Sequence, residues 1–547
     1  MAEDRPPASD DVVEPQGQDG GSLSREDFLR TAAGGAALLA LGAAAGSVPA
    51  ASAAGSRAAA WSGVGRALPK KGGNLRVAMV GGTAADSLDG DDEINFPQVM
   101  RNFALYNGLV ALDKSGKKIS LDLAEEITPS KDALSWTIRL KPGLTFHNGK
   151  PVTARDVLYT FTRILNPKSP HSGAPALVPL DLRGAKVLDK RTLRLPMKTP
   201  YATFIEQIAG NYYFAIVPVG YNPKKPVGTG PFKYGSFVPG KQSVFNRNPN
   251  YHKSGLPYLD HLTIVDSFSD PTSAFNAVSA GQVDIAENAP PVLVDQVKGN
   301  SKLKALISDP GLWIPFTMRC DVAPFNDNRV RMAFKLIVDR PQMINVSVNG
   351  LGVVGNDVYG QWDPCYDHSL HRHQDIAKAK DLLKKSGHEG LSVELVTSQF
   401  TAGAVEAAQA FAQQAKAAGV KVKVRQIPVT DFFTNYTKWH FSQDFLSYSP
   451  FASIIAQTGL PTSPFNTTHF VSAKQNALYR QANATVNPKK RCQLIKQMER
   501  IQFDEGGYII ASFNKQVDIM AKNVNGFGVA GTGIPLGNGD WEHAWLA

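Results

Sequence analysis

One stretch, from Trp136 to Arg163, constrains the fold of this chain more than any other. Residues 136–140 alternate apolar and polar side chains, which is typical of a strand with one buried face. Pro142 and Gly143 then interrupt the run, because proline lacks a backbone N–H and glycine accepts the φ angles that turns need. Residues 144–146 are predicted to form a short second strand.

A capped helix is predicted to follow this second strand. Residues 147–150 read His-Asn-Gly-Lys, and Asn-Gly is the strongest two-residue signal for a tight turn. Thr153 stands three residues before Asp156, a spacing that resembles a capping box. Apolar residues then recur at helical spacing, at Val157, Leu158, Phe161, Ile164 and Leu165. The stretch therefore predicts a strand, a turn, a strand, a turn and a helix.

Length and composition indicate a soluble protein with more than one domain. The 547 residues are too many for one typical domain, and 43% hydrophobic with 19% charged residues is ordinary for a globular chain. The net charge is +10, but the first 56 residues hold three basic and eight acidic residues, so the remainder carries +15. No cluster of Lys and Arg with interleaved aromatic residues stands out. This disfavours a nucleic-acid partner and favours a solvated surface beside anionic lipid.

The stretch around the predicted helix resembles the signature of the family 5 extracellular solute-binding proteins, the dipeptide- and oligopeptide-binding components of ABC importers. That signature is roughly W-T-F-x-L-R-x-G-V-x-F-H-D-G-x-P-x-T-A-x-D-V, with an Arg a few residues on. Asn148 stands where Asp is usual, and that change still suits the turn. The matching positions are Trp136, Thr137, Leu140, Gly143, Phe146, His147, Gly149, Pro151, Thr153, Ala154, Asp156, Val157 and Arg163.

Shorter matches extend this resemblance from about Gly72 to Phe513. Among them, residues 228–232 read Gly-Thr-Gly-Pro-Phe, in which the glycines are expected to permit a tight turn. Residues 391–396, 405–418 and 420–424 alternate as strand, helix and strand, which indicates a parallel sheet with helices on its faces. The resemblance implies an α/β fold of two lobes, the type II periplasmic-binding-protein-like fold, with an extra subdomain in the first lobe.

The N-terminal region is predicted to be an export signal. Residues 1–22 are acidic and rich in Pro and Gly, which is typical of disorder. An apolar run, residues 32–45, fits a signal-peptide core better than a membrane span, and the small-x-small cleavage pattern of residues 51–53 follows it. An uncleaved N-terminal anchor is the alternative. The flank resembles a twin-arginine signal with Glu26 in place of the second Arg, so the export route stays open. The protein is expected in the periplasm or at the outer face of the cell membrane.

The resemblance and the composition together divide the chain into segments. The first lobe is built from both ends of the mature chain, and the lobes are expected to close on a ligand by a hinge motion. The predicted segments are 1–53 (leader and signal peptide), 54–71 (linker), 72–310 (lobe I, with a subdomain at about 105–227), 311–510 (lobe II) and 511–547 (return to lobe I).

The ligand is expected between the lobes. In peptide-binding members of the family an Asp after a Gly-Trp pair holds the peptide amine, because a buried ammonium needs a charged partner. The corresponding residues here, 444–451, lack that pair and the Asp after it. Tyr448, Ser449 and Phe451 are predicted to line the pocket instead, with ordinary loop packing as the alternative. Further candidate ligand-binding residues are Asp86, Leu88, Trp313 and Asn466.

The cysteines and histidines leave two questions open. Cys320, Cys365 and Cys492 allow one disulfide and a free thiol, in any of three pairings. A metal site is a minor alternative, since relatives include carriers of nickel complexes and borderline metals bind such side chains. Its ligands would be Cys365, Asp367, His368, His371 and His373, although a solvated loop is the preferred interpretation. No metal and no cofactor is predicted.

The predicted function is capture of a peptide or a related small organic solute by a monomer that delivers it to the permease subunits of an ABC importer. An enzyme is not predicted, because the sequence contains no G-x-S-x-G motif, no H-E-x-x-H motif and no metal-spaced cysteines. A secreted hydrolase remains the alternative, and turnover of substrate would distinguish it. The sequence leaves the identity of the ligand open.

Overall fold

The computed structural model describes residues 68–547, except 85, 92–95, 170, 172, 210–212, 269, 429–430, 433–434, 449–450, 462 and 464. The predicted leader, the signal peptide and most of the predicted linker therefore lie outside the described residues. Within the described part, no helix combines the length and the apolar character that crossing a membrane requires.

The strands are numbered in chain order. They are β1 (Asn74–Val80), β2 (Val110–Leu112), β3 (Ile119–Leu121), β4 (Ala124–Pro129), β5 (Ser135–Leu140), β6 (Lys186–Val187), β7 (Thr192–Pro196), β8 (Phe232–Val238), β9 (Gln242–Arg247), β10 (His261–Phe268), β11 (Ile285–Ala286), β12 (Leu303–Ile307), β13 (Phe316–Met318), β14 (Gly352–Val354), β15 (Ser392–Thr397), β16 (Lys421–Gln426), β17 (Phe441–Gln443), β18 (Tyr508–Ile509), β19 (Ser512–Asn514), β20 (Val517–Ala521), β21 (Val524–Asn525) and β22 (Trp545–Leu546).

The α-helices are numbered in the same way. They are α1 (Phe96–Leu105), α2 (Ala154–Ile164), α3 (Ala174–Leu177), α4 (Phe204–Ile208), α5 (Pro271–Ser279), α6 (Val294–Val297), α7 (Asn328–Ile337), α8 (Arg340–Val348), α9 (Ile376–Lys385), α10 (Ala404–Ala415), α11 (Phe451–Ile454), α12 (Ala473–Ala484) and α13 (Pro488–Glu505). Near the C-terminus the chain makes a left-handed turn at Leu536, Gly537 and Asn538, which all have positive φ.

A mixed seven-stranded sheet forms the centre of the first lobe, in the order β12-β20-β11-β1-β10-β9-β8. The predicted first strand, β1, pairs in parallel with β10 and β11, and its Leu75 and Val77 are fully buried. β20 lies between β11 and β12, antiparallel to both, although it comes from the C-terminal part of the chain. We propose that the chain returns to the first lobe at Val517, where β20 begins.

The signature stretch forms part of a four-stranded antiparallel sheet in the order β4-β5-β7-β6. The predicted alternation of β5 is confirmed, because Trp136, Ile138 and Leu140 are buried in the core of the first lobe. The predicted capping box of α2 is confirmed as well, since the Asp156 carboxylate accepts the Thr153 backbone N–H at 2.8 Å and the Thr153 hydroxyl at 2.6 Å.

The prediction of a short strand at residues 144–146 is wrong. Only Thr145 makes a bridge there, to Pro151 on the other side of the turn. Proline has no N–H to donate to a ladder, and the turn leaves few residues on either side of it. The segment is therefore a tight loop and not a strand.

Two sequence motifs of the first lobe contact each other. His147 of the signature accepts the Gly228 backbone N–H on Nδ1 at 3.2 Å, and its Nε2 bonds the Gly230 carbonyl at 3.1 Å. A β-carbon on Gly228 would lie 2.1 Å from the Leu105 carbonyl oxygen, and one on Gly230 would lie 2.4 Å from the carbonyl carbon of the same residue. These glycines therefore serve close packing against the end of α1, and not a turn conformation with positive φ.

The second lobe contains the predicted strand–helix–strand unit. β15 and β16 are parallel neighbours, and α10 connects them, as the alternation of 391–424 predicts. The Asp375 side chain caps α9 by accepting the Lys378 backbone N–H at 2.9 Å. A separate sheet in the order β17-β13-β18 lies in the same lobe. Its Phe316 and Phe441 pack in an aromatic core that includes Phe411 of α10.

Candidate ligand site between the lobes

An aromatic stack lies beside the segments that connect the two lobes. Trp313 stacks on Tyr359 with ring centroids 5.6 Å apart, and Tyr359 stacks on Phe451 at 4.9 Å. Tyr508 meets the Trp313 ring edge-on at 5.9 Å. Backbone hydrogen bonds of 2.8 and 3.0 Å tie Trp313 to Leu446. The structure thus brings two predicted ligand-binding residues, Trp313 and Phe451, into one buried wall.

Tyr448 follows β17 of the second lobe but packs on the first lobe. A β-carbon on Gly116 would lie 3.2 Å from the Tyr448 ring, and the ring is 3% exposed within the core of the first lobe. Burial, and then the charges of Asp363 and Asp113, raise the pKa of Tyr448 well above its ordinary value. The hydroxyl keeps its proton, yet it finds no hydrogen-bond partner among the described residues.

More buried polar atoms lie in the same two segments. Ser447 Oγ, Ser453 Oγ and Gln361 Oε1 have no hydrogen-bond partner within the described part of the chain. The Asp363 carboxylate accepts the Phe451 backbone N–H at 3.1 Å and so joins the segments. Buried polar groups in native proteins nearly always have partners. A polar ligand beside this aromatic wall would give such atoms their hydrogen-bond partners.

Asp86 and Leu88 are engaged inside the first lobe instead. Arg101 donates to the Asp86 carboxylate at 2.8 Å, and the Thr83 hydroxyl donates to its other oxygen at 2.8 Å. The Leu88 carbonyl accepts the Tyr106 hydroxyl at 2.7 Å. Both residues are more than nine-tenths buried. These contacts account for the positions of Asp86 and Leu88 without a ligand, and their predicted role stays a prediction.

Asn466 and Ser449 also stay predictions. Asn466 donates to the Phe470 carbonyl at 3.2 Å and accepts the Thr468 hydroxyl at 3.1 Å, so its side chain shapes its own loop. Ser449 lies outside the described residues.

Contacts between the lobes extend beyond Tyr448. The Lys117 ammonium lies 5.3 Å from the centre of the Trp362 ring, a cation–π contact. Farther along, Arg491 of α13 pairs with Glu206 of α4 at 2.9 Å, and both side chains are about 5% exposed or less. The Thr203 hydroxyl donates to the Asn483 side chain at 2.7 Å. We name this set of contacts, together with Tyr448, the seam.

The segment from Tyr359 to Asp363 is a part of this site that the sequence analysis missed. It supplies Tyr359 to the stack, Gln361 to the cluster of buried polar atoms and Trp362 to the seam. A signal was present, because Tyr-Gly-Gln-Trp-Asp places two aromatic residues and two polar residues within five positions. Such a mixture is common in ligand pockets, where apolar walls carry a few placed polar groups.

A disulfide joins Cys365 to Cys492, which selects one of the three pairings left open by the sequence. Cys320 is a free, partly buried thiol. Cys365 is therefore no thiolate ligand, which weakens the metal alternative at 365–373. His368 packs edge-on against Tyr366, with ring centroids 5.1 Å apart.

A cavity of about 290 Å³ lies elsewhere, in the first lobe beside the left-handed turn. Asp540, Glu542 and His543 line it, and they are the one group of three described His, Cys, Asp or Glu residues close enough to share a metal ion. Lys114 pairs with Asp540 and Lys253 pairs with Glu542, at 2.5 and 3.0 Å. Because these ammonium groups already compensate the carboxylates, we assign no metal there.

Glu499 of α13 is a buried carboxyl group next to the disulfide. It accepts the Asp367 backbone N–H at 2.9 Å on one oxygen, and its other oxygen has no partner among the described residues. Burial, and then the charge of Asp363, raises the pKa of Glu499 to about 9. The group is thus protonated in the folded protein at neutral pH, where an unfolded chain would have released the proton.

Replacing Glu499 by Gln is expected to flatten the pH dependence of stability. The folded state binds this proton more tightly than the unfolded state, so stability falls as pH rises from about 5 toward about 9. One such group contributes a slope of up to about 1.4 kcal/mol per pH unit. Urea unfolding at pH 5, 6 and 7 measures the slope for the wild type and for Glu499→Gln. The matched control is Glu406→Gln on the exposed face of α10, and equal slopes in all three proteins would contradict the assignment.

Comparison with known proteins places the chain in a family. Residues 118–454, more than half of the chain, match the family described as bacterial extracellular solute-binding proteins, family 5 Middle. The chain is a family 5 solute-binding protein. It is the extracytoplasmic binding component of an ABC importer and works with the permease subunits of that importer. The predicted family and the predicted function class are confirmed.

Relatives of this family 5 protein are named for different ligands or have different ligands bound in their structures. The chain is 26% identical over 476 residues to the glutathione-binding protein GsiB of Pectobacterium atrosepticum, covering 81% of this chain and 89% of the relative. Its fold matches the binding protein AgaA of A. tumefaciens R10 in complex with agropinic acid, with a TM-score of 0.74, 24% identity and coverage of 87% and 99%. It also matches DppA of Helicobacter pylori with the peptide STSA, with a TM-score of 0.75, 19% identity and coverage of 87% and 98%. These structures confirm the predicted two-lobed α/β fold.

Proposed function

We propose that this protein binds a short peptide, or a related organic solute that carries an amino group, at the seam next to the aromatic stack. The observation that carries the proposal is the buried Tyr448 hydroxyl, which lacks a partner among the described residues and lies between the lobes. Ser447 and Ser453 add two more unsatisfied hydroxyl groups to the same segment. A ligand that hydrogen-bonds these groups would remove the cost of burying them alone.

The charges around Tyr448 favour a cationic group on the ligand. Asp363 of the second lobe and Asp113 of the first lobe both act on the Tyr448 hydroxyl. An ammonium needs a counterion when it leaves water, and burial raises the pKa of Asp363, so a bound ammonium would favour the charged form of that carboxyl group. We propose that the two acids take the place of the missing Asp of the peptide-amine clamp. Relatives named for glutathione and for a bound peptide agree with this ligand class.

We propose that the N-terminal signal exports the chain to the periplasm or to the outer face of the membrane, where it binds solute without converting it. The relatives with named ligands are binding proteins, which supports a protein without catalytic activity. Incubation with a bound ligand, followed by mass analysis, would reveal a hydrolase by its products.

Native mass spectrometry of the purified full chain tests the proposed ligand class. The protein is sprayed intact, then mildly denatured, and any released molecule is identified. We expect short peptides or one amine-bearing solute, with saturable rebinding in calorimetry. Release of a metal complex, or of a solute without an amino group, would contradict the proposal. An empty protein is titrated with di-, tri- and tetrapeptides and glutathione, and the absence of any heat would contradict it equally.

Replacing Tyr448 by Phe should weaken ligand binding without weakening the fold. The variant loses one hydrogen bond to the ligand, which corresponds to a roughly tenfold higher Kd. The free protein loses no hydrogen bond among the described residues, so its Tm should stay the same or rise. Calorimetry and thermal unfolding measure the two effects separately.

Tyr251→Phe is the matched control for this variant. Its hydroxyl donates to the Glu542 carboxylate at 2.6 Å within the first lobe, away from the seam and from the other candidate ligand residues. The control should therefore lower Tm and leave Kd unchanged. If Tyr448→Phe behaved like the control, the Tyr448 hydroxyl would not be a ligand contact.

A further inference from the structure

Positive charge is concentrated in one small part of the first lobe. Residues 124–198 contain 13 Lys or Arg and six Asp or Glu, a net charge of +7, while the whole chain of 547 residues carries +10. This segment contains the four-stranded sheet β4-β5-β7-β6. One face of that sheet is buried, so the charged side chains of its strands lie on the other face. The strands and the turns next to them carry a net charge of +4, from eight basic residues (Lys131, Arg139, Lys141, Lys186, Lys190, Arg191, Arg194 and Lys198) and four acidic ones (Glu125, Glu126, Asp132 and Asp189).

Two of these charges oppose each other on adjacent strands. Lys186 of β6 is paired directly with Arg194 of β7, and both side chains are exposed. Like charges in such a position destabilise a sheet. The described ion pairs of this sheet are those of Arg139 and Arg191 with Glu125, and none involves Lys186 or Arg194. Folding alone gives no reason for this arrangement, whereas an anionic partner outside the protein would.

Exposed apolar side chains lie at both ends of the same sheet. Leu134 is 40% exposed and Val178 is 58% exposed at one end, where the Lys198 ammonium bonds the Val178 carbonyl at 3.1 Å. Leu188 is 56% exposed at the other end, in the β6–β7 turn that also contains Lys190. Lysine beside exposed leucine and valine suits the boundary between phosphate headgroups and acyl chains.

We propose that this outer face, centred on Lys186 and Arg194 and named the basic face, binds an anionic membrane surface through lipid phosphate groups. The charge of the basic face is complementary to that of such a membrane, and its apolar side chains fit the shallow interface below the headgroups. Contact would hold the binding protein close to the membrane in which its permease lies. The inference is independent of which solute binds at the seam.

Vesicle sedimentation with the full chain tests the proposal. The wild type should sediment with vesicles of phosphatidylcholine mixed with phosphatidylglycerol, and not with vesicles of phosphatidylcholine alone. The variant Lys186→Glu/Arg194→Glu should bind the anionic vesicles at least about tenfold more weakly. High salt should abolish wild-type binding, because the exposed charges are then screened. Unchanged binding in the double variant would overturn the proposal.

A matched control separates the basic face from net charge. Lys421→Glu/Lys423→Glu makes the same change of charge on exposed positions of β16 in the second lobe. It should leave vesicle binding unchanged, and equal losses in both double variants would overturn the proposal. Wild-type binding to soluble poly-glutamate with no binding to vesicles would overturn it too, and would indicate an acidic protein partner instead.

A single substitution distinguishes binding from folding. Lys186→Glu places a carboxylate opposite Arg194, so the like-charge pair becomes an attractive cross-strand pair. The Tm of this variant should not fall, while its binding to anionic vesicles should weaken. A loss of vesicle binding that tracked a loss of Tm would overturn the proposal.

Discussion

Replacing Asp357 by Ala is expected to lower the free energy of unfolding by about 3–5 kcal/mol. The Asp357 carboxylate is 1% exposed and accepts Arg340 at 2.7 Å, Arg372 at 3.1 Å and the Ile510 backbone N–H at 3.0 Å. Its removal leaves two guanidinium groups in the interior without their counterion. Breaking a buried ion pair costs this much because the remaining charge is neither solvated nor paired. Urea unfolding followed by circular dichroism measures the loss.

Asp381→Ala is the matched control. Asp381 also pairs with a cation, Lys385, but both side chains are more than half exposed. An exposed pair of this kind contributes about 0–1 kcal/mol. If Asp357→Ala cost no more than this control, the carboxylate would not be the counterion of the two arginines. The substitution of Asp357 should also affect ligand binding, because Tyr359 and Gln361 of the proposed ligand site come two and four residues after Asp357 in the sequence.

The fold could be predicted because its signals are local. The alternation of β5 and the cap of α2 lie within a few residues of the side chains that they position, and the structure has both. The glycines at 228 and 230 show where local reasoning ends. Their sequence pattern identifies the motif, but the contact that requires them is with Leu105, more than 120 residues earlier.

The candidate site could be predicted only in part, because its geometry depends on distant pairs. Tyr448 and Phe451 were identifiable from a local departure from the family pattern. Nothing local shows that Tyr359 lies between Trp313 and Phe451, since the three rings come from separate segments of the chain. For Asp86, the structure shows a buried contact that the local sequence does not indicate. Asp86 lies in a segment expected near the ligand, yet its partner Arg101 also binds Asp266 of β10, 165 residues away, in a buried network.

Removing the disulfide through Cys365→Ser/Cys492→Ser is expected to lower the free energy of unfolding by about 2–5 kcal/mol. The two cysteines are 127 residues apart in the sequence, so the bridge restricts the unfolded chain over a long loop. In the folded protein it joins the segment that carries Asp363 to α13, whose Arg491 pairs with Glu206 across the seam. Loss of the disulfide should therefore also raise the Kd for the ligand, because the segment that carries Asp363 and the helix α13 would both be held less firmly at the seam.

The free thiol provides the matched control. Cys320→Ser changes a partly buried cysteine that closes no loop, so its effect on unfolding should be much smaller than that of the double variant. Wild-type protein unfolded in the presence of dithiothreitol should match the double variant, while the double variant itself should not respond to the reductant. Thiol labelling of the denatured wild type should count one free cysteine before reduction and three after it. Three reactive thiols before reduction, with unchanged stability after it, would mean that the bridge does not form and that α13 is held in place by its other contacts, among them the Arg491–Glu206 pair and the hydrogen bond of Glu499 to Asp367.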